Sequence, residues 1–177
     1  MFVVMSTRRL IQEHQYRPIT GNVLALGKQS VGFDASTMAN LFHEAGAQVD
    51  PSLDIRTLSG DKTTRYRGTI SDVDFMKFFG SSITYRTMDV SNYEGADIIH
   101  DLNIPIADDL VGQFDFIIDG GTFDHLVDIR TAFRNVVRML KPNGRVFQWN
   151  AASNFTNQSY LSFSPDFFFD FYLINRF

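Results

Sequence analysis

FDFIIDGGTFDHLVDIRTAFRNVVRMLKPNGRV, residues 114–146, decides the fold. It opens on an apolar run that stops at a pair of glycines, so 114–121 predicts a buried strand ending in Asp119. Residues 125–140 then carry Leu126, Ile129, Phe133, Val136, Val137 and Leu140 at the spacing of a helix. KPNG, 141–144, predicts a tight turn, and RVFQWN, 145–150, predicts another strand. Apolar strands that alternate with helices lie in a parallel sheet covered on both faces.

The alternation continues on either side. STRRLIQEHQY, 6–16, predicts a short helix capped by Ser6 or Thr7, and Pro18 and Gly21 break the chain after it. NVLAL, 22–26, predicts a buried strand. Asp34 is placed to cap a helix that runs to about Ala45, with Met38, Leu41 and Phe42 inward and Gly46 as its stop. SDVDFMKFFG, 71–80, predicts a capped helical turn or two. ITYRTMDVS, 83–91, and ADIIHDLN, 96–103, predict strands ending in Asp89 and Asp101. Ser164-Pro165-Asp166 starts a helix with a cap, a proline at the first helical position and an acid in the first turn. Residues 47–70, with Asp54, Arg56, Asp61, Lys62, Arg65 and Arg67, lack periodicity and predict a long surface loop. The expected fold is α/β, a Rossmann-like three-layer α/β/α sandwich with a mainly parallel sheet of about five strands.

The chain has 177 residues, enough for one domain over 1–177. Its net charge of −4 gives no electrostatic case for nucleic acid or an anionic membrane as partner. It contains no cysteine, which excludes disulfides, thiolate metal sites and a cysteine nucleophile. MFVVM is too short for a secretion signal core, and no stretch is long and apolar enough to span a bilayer, so the expected location is cytoplasmic.

LALGKQSVGFDAS, 24–36, has the layout of a cofactor loop: a strand, a glycine, a polar turn and a helix start. Phe33 and Asp34 follow Gly32, so the lysine and hydroxyl of a phosphate-binding P-loop are missing. Gln29 stands where a dinucleotide fingerprint needs its middle glycine. What remains is a turn whose amides face a small ligand. Asp89, Asp101 and Asp119 each sit at the carboxyl end of a predicted strand, as the Gly27 turn does, and ligands of open parallel sheets bind there. One such acid can accept two hydrogen bonds from a ribose diol, and the next can accept from an adenine amino group. The bland alternative is that these residues are turn formers and helix caps.

With those residues in place, the sequence resembles the class I S-adenosylmethionine-dependent methyltransferases over about Gly21 to Gly144. The 114–146 stretch is similar to that family's fourth strand, helix, Pro-Gly turn and fifth strand, with Asn143 in place of the first glycine of the turn. VLALG resembles the first-strand motif, although Leu24-Ala25-Leu26 offers no acid and only Gly27 of the glycine run is present. The resemblance implies S-adenosyl-L-methionine as cofactor. Asp89 and Val90 would hold the ribose, Asp101 and Leu102 the adenine, and Gly27, Lys28, Gln29 and Ser30 the amino-acid end, with Asp119 and Gly120 beside it. The family's closing antiparallel strands are expected to be missing, because the sequence stops where the preceding helix should end. It therefore reads as a C-terminally truncated member.

A hydroxyl nucleophile needs a base, and His125 oriented by Asp124 is the catalytic candidate. The plain reading is that His125 merely begins a helix. Asp119, Asp124 and His125 are too loosely spaced for a metal site to be expected. The expected acceptor is a small molecule. The alternatives are a methyltransferase-like binding or assembly module that has lost its cofactor, and a nicotinamide oxidoreductase, which the missing glycine fingerprint disfavours. The aromatic SPDFFFDFYLI segment predicts a helix apolar on most sides, whose uncovered face is expected to be buried in a homodimer or by a rearranged C-terminus.

Overall fold

The computed structural model describes residues 1–58, 60, 68–154 and 157–175. Five strands form one parallel sheet: β1 (Gly21–Leu26), β2 (Ile83–Asp89), β3 (Ile98–Ile99), β4 (Phe114–Asp119) and β5 (Leu140–Gln148), in the order β3-β2-β1-β4-β5. The chain winds outward from β1 through β2 to β3, then returns to place β4 and β5 on the other side. Strand order therefore reverses between β1 and β4, and a crevice opens beyond their carboxyl ends.

Helices cover both faces, as the continuous apolar strands require. On one face α1 (Val4–Tyr16), α2 (Ala35–Glu44) and α3 (Asp72–Lys77) bury Leu10, Phe42 and Phe75 against Val23, Phe116 and Ile118 of the sheet. On the other, α4 (Ile129–Met139) and α5 (Pro165–Ile174) pack Phe133, Val136 and Phe171 against Leu24, Leu26 and Ile117. Val23 and Leu24 thus point to opposite layers, which is the period-two rule of a strand. The expected three-layer sandwich of five strands is the observed fold.

Several boundaries differ from expectation, each for a local reason. Helix α1 begins at Val4, because Ser6 bonds both the amide and the carbonyl of Val3 at 3.0 Å; Ser6 and Thr7 lie inside the helix and are buried. The third strand shrinks from 96–103 to two residues. The Asp97 carboxylate takes the Thr87 amide at 2.7 Å in place of a ladder partner, and Asp101 folds the chain back by accepting from the Asn103 amide at 2.9 Å. Helix α4 begins at Ile129 and not at His125. Asn103 Oδ1 holds the amides of Val127 and Asp128 at 2.9 Å each, Asp128 caps the Thr131 amide at 3.0 Å, and Phe123–His125 forms a separate 3-10 turn.

KPNG is no strand-breaking turn. Phe114 pairs with Leu140 and Phe116 with Arg145, so the extra residues bulge out of one continuous strand, with Asn143 in the left-handed region at φ 64°. In the 47–70 stretch, Ile55–Thr57 forms a 3-10 turn and Gly60 bridges Ile70. Within that stretch, Asp61, Lys62, Arg65 and Arg67 lie outside the described residues.

Candidate cofactor site

At the switch point the ends of β1, β2, β3 and β4 surround a cleft of about 340 Å³. Gly27, Met88, Asp89, Val90 and Asp101 line it from the strand ends, with Leu102, Thr122, His125 and Leu126 opposite. Gly27 occupies φ 71°, and a Cβ there would stand 2.8 Å from Thr122 Oγ1. That hydroxyl donates to the Leu26 carbonyl at 2.6 Å, which locks the β1 turn to the β4 turn. Glycine is required at 27 both for its backbone conformation and for this close approach.

The acids divide into two groups. Asp89 accepts from the Ser91 amide at 3.1 Å, and Asp101 accepts from the Asn103 amide and side chain at 2.9 and 2.8 Å; both line the cleft. Backbone and side-chain bonds from Asn103 hold the Asp101 carboxyl below its usual range, so it faces the cleft ionised. Asp119 behaves differently. It is fully buried and sits behind the cleft wall, where it accepts from the amides of Thr122 and Phe123 and from the side chain of Asn150 at 2.9 Å. Burial pushes its carboxyl up despite those donors. Its role is to shape the β4 turn, and the ordered set of strand-end acids facing the cleft is reduced to Asp89 and Asp101.

The loop after Gly27 is anchored from beneath. Asp72, at the start of α3 and fully buried, accepts from the Gln29 amide at 3.4 Å and from Tyr85 Oη at 3.1 Å, with Lys28 Nζ at 3.7 Å. Burial pushes the Asp72 carboxyl up, and Lys28 opposes that shift. Asp72 lies 45 residues after Gly27 in the chain, and the fold brings it beneath the loop. Lys28 is turned to that buried acid. Gln29 is buried too, and its Nε2 donates to the carbonyls of Leu26 and Gly27 at 2.8 and 3.2 Å, so those amide hydrogens are already used. The Ser30 carbonyl accepts from the Phe2 amide at 2.8 Å. The Gly120 carbonyl and Gln29 Oε1, the latter at 2.9 Å, both accept from the Met1 amine. Lys28, Gln29, Ser30 and Gly120 lie beside the cleft without lining it.

Asp124 and His125 do not form a hydrogen-bonded pair. Asp124 is buried, and its Oδ1 meets Asn150 Nδ2 at 3.5 Å. His125 faces outward, lines the cleft and stands edge-on to Tyr160 with ring centroids 5.9 Å apart. The 3-10 turn separates them, because successive residues of a tight helical turn point in different directions. Sequence reasoning missed Thr122, Asn150 and Asp72. Thr122 lies directly after the DGG motif and could have been noticed. Asn150 and Asp72 reach the site from distant parts of the chain, and no local pattern marks them. Asn150 Oδ1 is buried with no hydrogen-bond partner among the described residues.

The sequence model of a family described as a methyltransferase domain matches residues 19–148. The chain belongs to that family. The match covers all five strands and the cleft, and the resemblance to class I S-adenosylmethionine-dependent methyltransferases is borne out at the level of family and fold. Among solved structures, the chain is similar to a candidate S-adenosyl-L-methionine-dependent methyltransferase from Methanococcus maripaludis, at 16% identity and TM-score 0.46, over 83% of this chain and 56% of that one. It is also similar to the trans-methyltransferase CalH in complex with S-adenosylhomocysteine, at 16% identity and TM-score 0.37, over 82% of this chain and 37% of that one. The chain thus spans about half the length of the first and less of the second. No curated protein matches it. The family assignment rests on the family model.

Proposed function

We propose that the protein binds S-adenosyl-L-methionine and transfers its methyl group to a small-molecule acceptor in the cytoplasm. The observation that carries the reading is the convergence of Asp89, Asp101 and the Gly27 turn on one cleft at the switch point of the sheet. The donor set suits an adenosine: Asp89 would accept from the ribose hydroxyls, Asp101 from the adenine amino group, and Met88, Leu102 and Leu126 offer apolar surface to the base. When bound, the cofactor supplies a methyl group activated by a sulfonium.

Because a sulfonium would leave as a neutral thioether, the task of the residues around the cleft would be to align the acceptor with the methyl group and to exclude water. Proximity of that kind is worth up to roughly 7–11 kcal/mol. For a hydroxyl acceptor, His125 on the cleft rim would take the proton. Without a hydrogen-bonded Asp124 behind it, His125 acts in this reading as a lone base.

The second reading is a binding module that kept the fold and lost the cofactor. Gln29 and Met1, which fill the space beside Gly120, favour it. Isothermal titration of the purified protein with S-adenosylmethionine, S-adenosylhomocysteine and NAD separates the readings. Binding of the sulfur-bearing nucleosides without NAD supports the first; binding of none of the three supports the module.

A further inference from the structure

The cleft is open only at its nucleoside half. Beyond Gly27, the place where the β1 turn meets Gly120 is taken by the chain itself. Phe2 forms a parallel bridge with Val31: its amide donates to the Ser30 carbonyl at 2.8 Å, and its carbonyl accepts from the Gly32 amide at 2.9 Å. The Phe2 ring is buried and stacks on Phe75 with centroids 4.2 Å apart and planes 9° from parallel. This pairing aims Met1 over the loop, where its nitrogen bonds Gln29 Oε1 at 2.9 Å and the Gly120 carbonyl. The acceptors that a ligand's amino group would use at the ends of β1 and β4 are therefore occupied by a main-chain nitrogen.

We infer that residues 1–3 are a strap that closes the amino-acid half of the cofactor cleft and must lift before a nucleoside bearing an amino acid can seat fully. The inference rests on the nucleoside reading of the cleft. Phe2 is the latch, because its bridge to Val31 and its stack on Phe75 hold Met1 in place. Gln29 is the strike plate, since its Nε2 is tied to Leu26 and Gly27 while its Oε1 faces the strap. A nucleoside without an amino acid needs only the open 340 Å³ and leaves the strap alone. The apparent affinity for the longer ligand is reduced by the fraction of time the strap is closed.

The test compares S-adenosylhomocysteine with 5′-methylthioadenosine, which lacks the amino acid, on the wild type and on Phe2→Ala. The expected result is a dissociation constant for S-adenosylhomocysteine lower by about tenfold or more in Phe2→Ala, with methylthioadenosine changed by less than about twofold. An equal effect on both ligands, or no gain for S-adenosylhomocysteine, overturns the strap. If neither ligand binds either protein, the nucleoside reading itself falls.

Because Phe2 also packs in the core, a stapled variant gives an independent arm. The chain has no cysteine, so Phe2→Cys with Val31→Cys creates a single possible intramolecular pair across the bridge. The oxidised form should retain methylthioadenosine and lose S-adenosylhomocysteine, and reduction should restore it. Equal binding of S-adenosylhomocysteine before and after reduction overturns the proposal.

Discussion

Replacement of Asp89 by alanine is the sharpest test of the site. Asp89 stands at the end of β2, half-buried, and the only hydrogen bond its carboxylate makes among the described residues is the one it accepts from the Ser91 amide. Its carboxylate is therefore dispensable for folding but placed to accept from a ribose diol. Hydrogen bonds to a charged acceptor contribute about 1.5–3 kcal/mol. Loss of that contribution corresponds to roughly a ten- to hundredfold weaker affinity for S-adenosylhomocysteine. Asp89→Asn, which keeps one acceptor oxygen and the shape, should fall between the wild type and Asp89→Ala. Calorimetric titration measures the affinities, and thermal melts should show little change in either variant. Unchanged affinity in Asp89→Ala, with an intact fold, would refute the ribose assignment and with it the orientation of any nucleoside in the cleft.

Asp101→Ala should also weaken S-adenosylhomocysteine binding by tenfold or more, on the order of one charged hydrogen bond; equal affinity would remove the adenine assignment. Phe133, buried under α5 and touching the rings of Phe123, Phe167 and Phe171, anchors the far layer, and Phe133→Ala should cost about 3–5 kcal/mol in denaturant unfolding. Burial raises the Asp119 carboxyl above its unfolded range, so the native state holds the proton more tightly. The associated stability is complete below about pH 4, where the unfolded carboxyl is protonated, and is lost as pH rises through the higher native value. Melting temperatures of the wild type and Asp119→Asn should accordingly shift against each other, the wild type losing ground as pH rises; a constant gap would show that burial of this carboxyl does not disfavour its charge. The outward side of α5 exposes Phe169, Leu173 and Ile174 beside Asp166 and Asp170, and α4 presents Arg130, Arg134 and Arg138 along a groove of about 720 Å³. We expect two copies to pair there, acids against arginines, and a monomer in light scattering at high micromolar concentration would exclude it.

The layer pattern was legible in the sequence because strand and helix periods are local. The apolar run of 114–119, the helical spacing of 129–139 and the cap at Asp34 each depend on residues within a few positions of one another. The placement of Asp89 at the end of β2, and of Asp101 close to the end of the third strand, was legible for the same reason. Strand limits were less so, since they depend on side chains that replace ladder bonds. Asp97 cuts β3 short, and nothing in ADIIHDLN distinguishes that carboxylate from an ordinary turn former.

Only the tertiary structure decided which strand-end acids face a ligand. Asp119 and Asp101 look alike along the chain, yet one is sealed behind Thr122, Phe123 and Asn150 and the other lines the cleft. The difference lies in what the fold brings over each carboxylate: Asn150, from beyond β5, and the Thr122 and Phe123 amides close over Asp119, whereas Asp101 accepts only from Asn103 of its own turn and keeps its face to the cleft. The same logic governs the eroded glycine loop. Its sequence shows which glycines are missing, and the structure shows what packs against the loop: Asp72 from α3 on one side and Met1 with Phe2 on another, residues far apart in the chain.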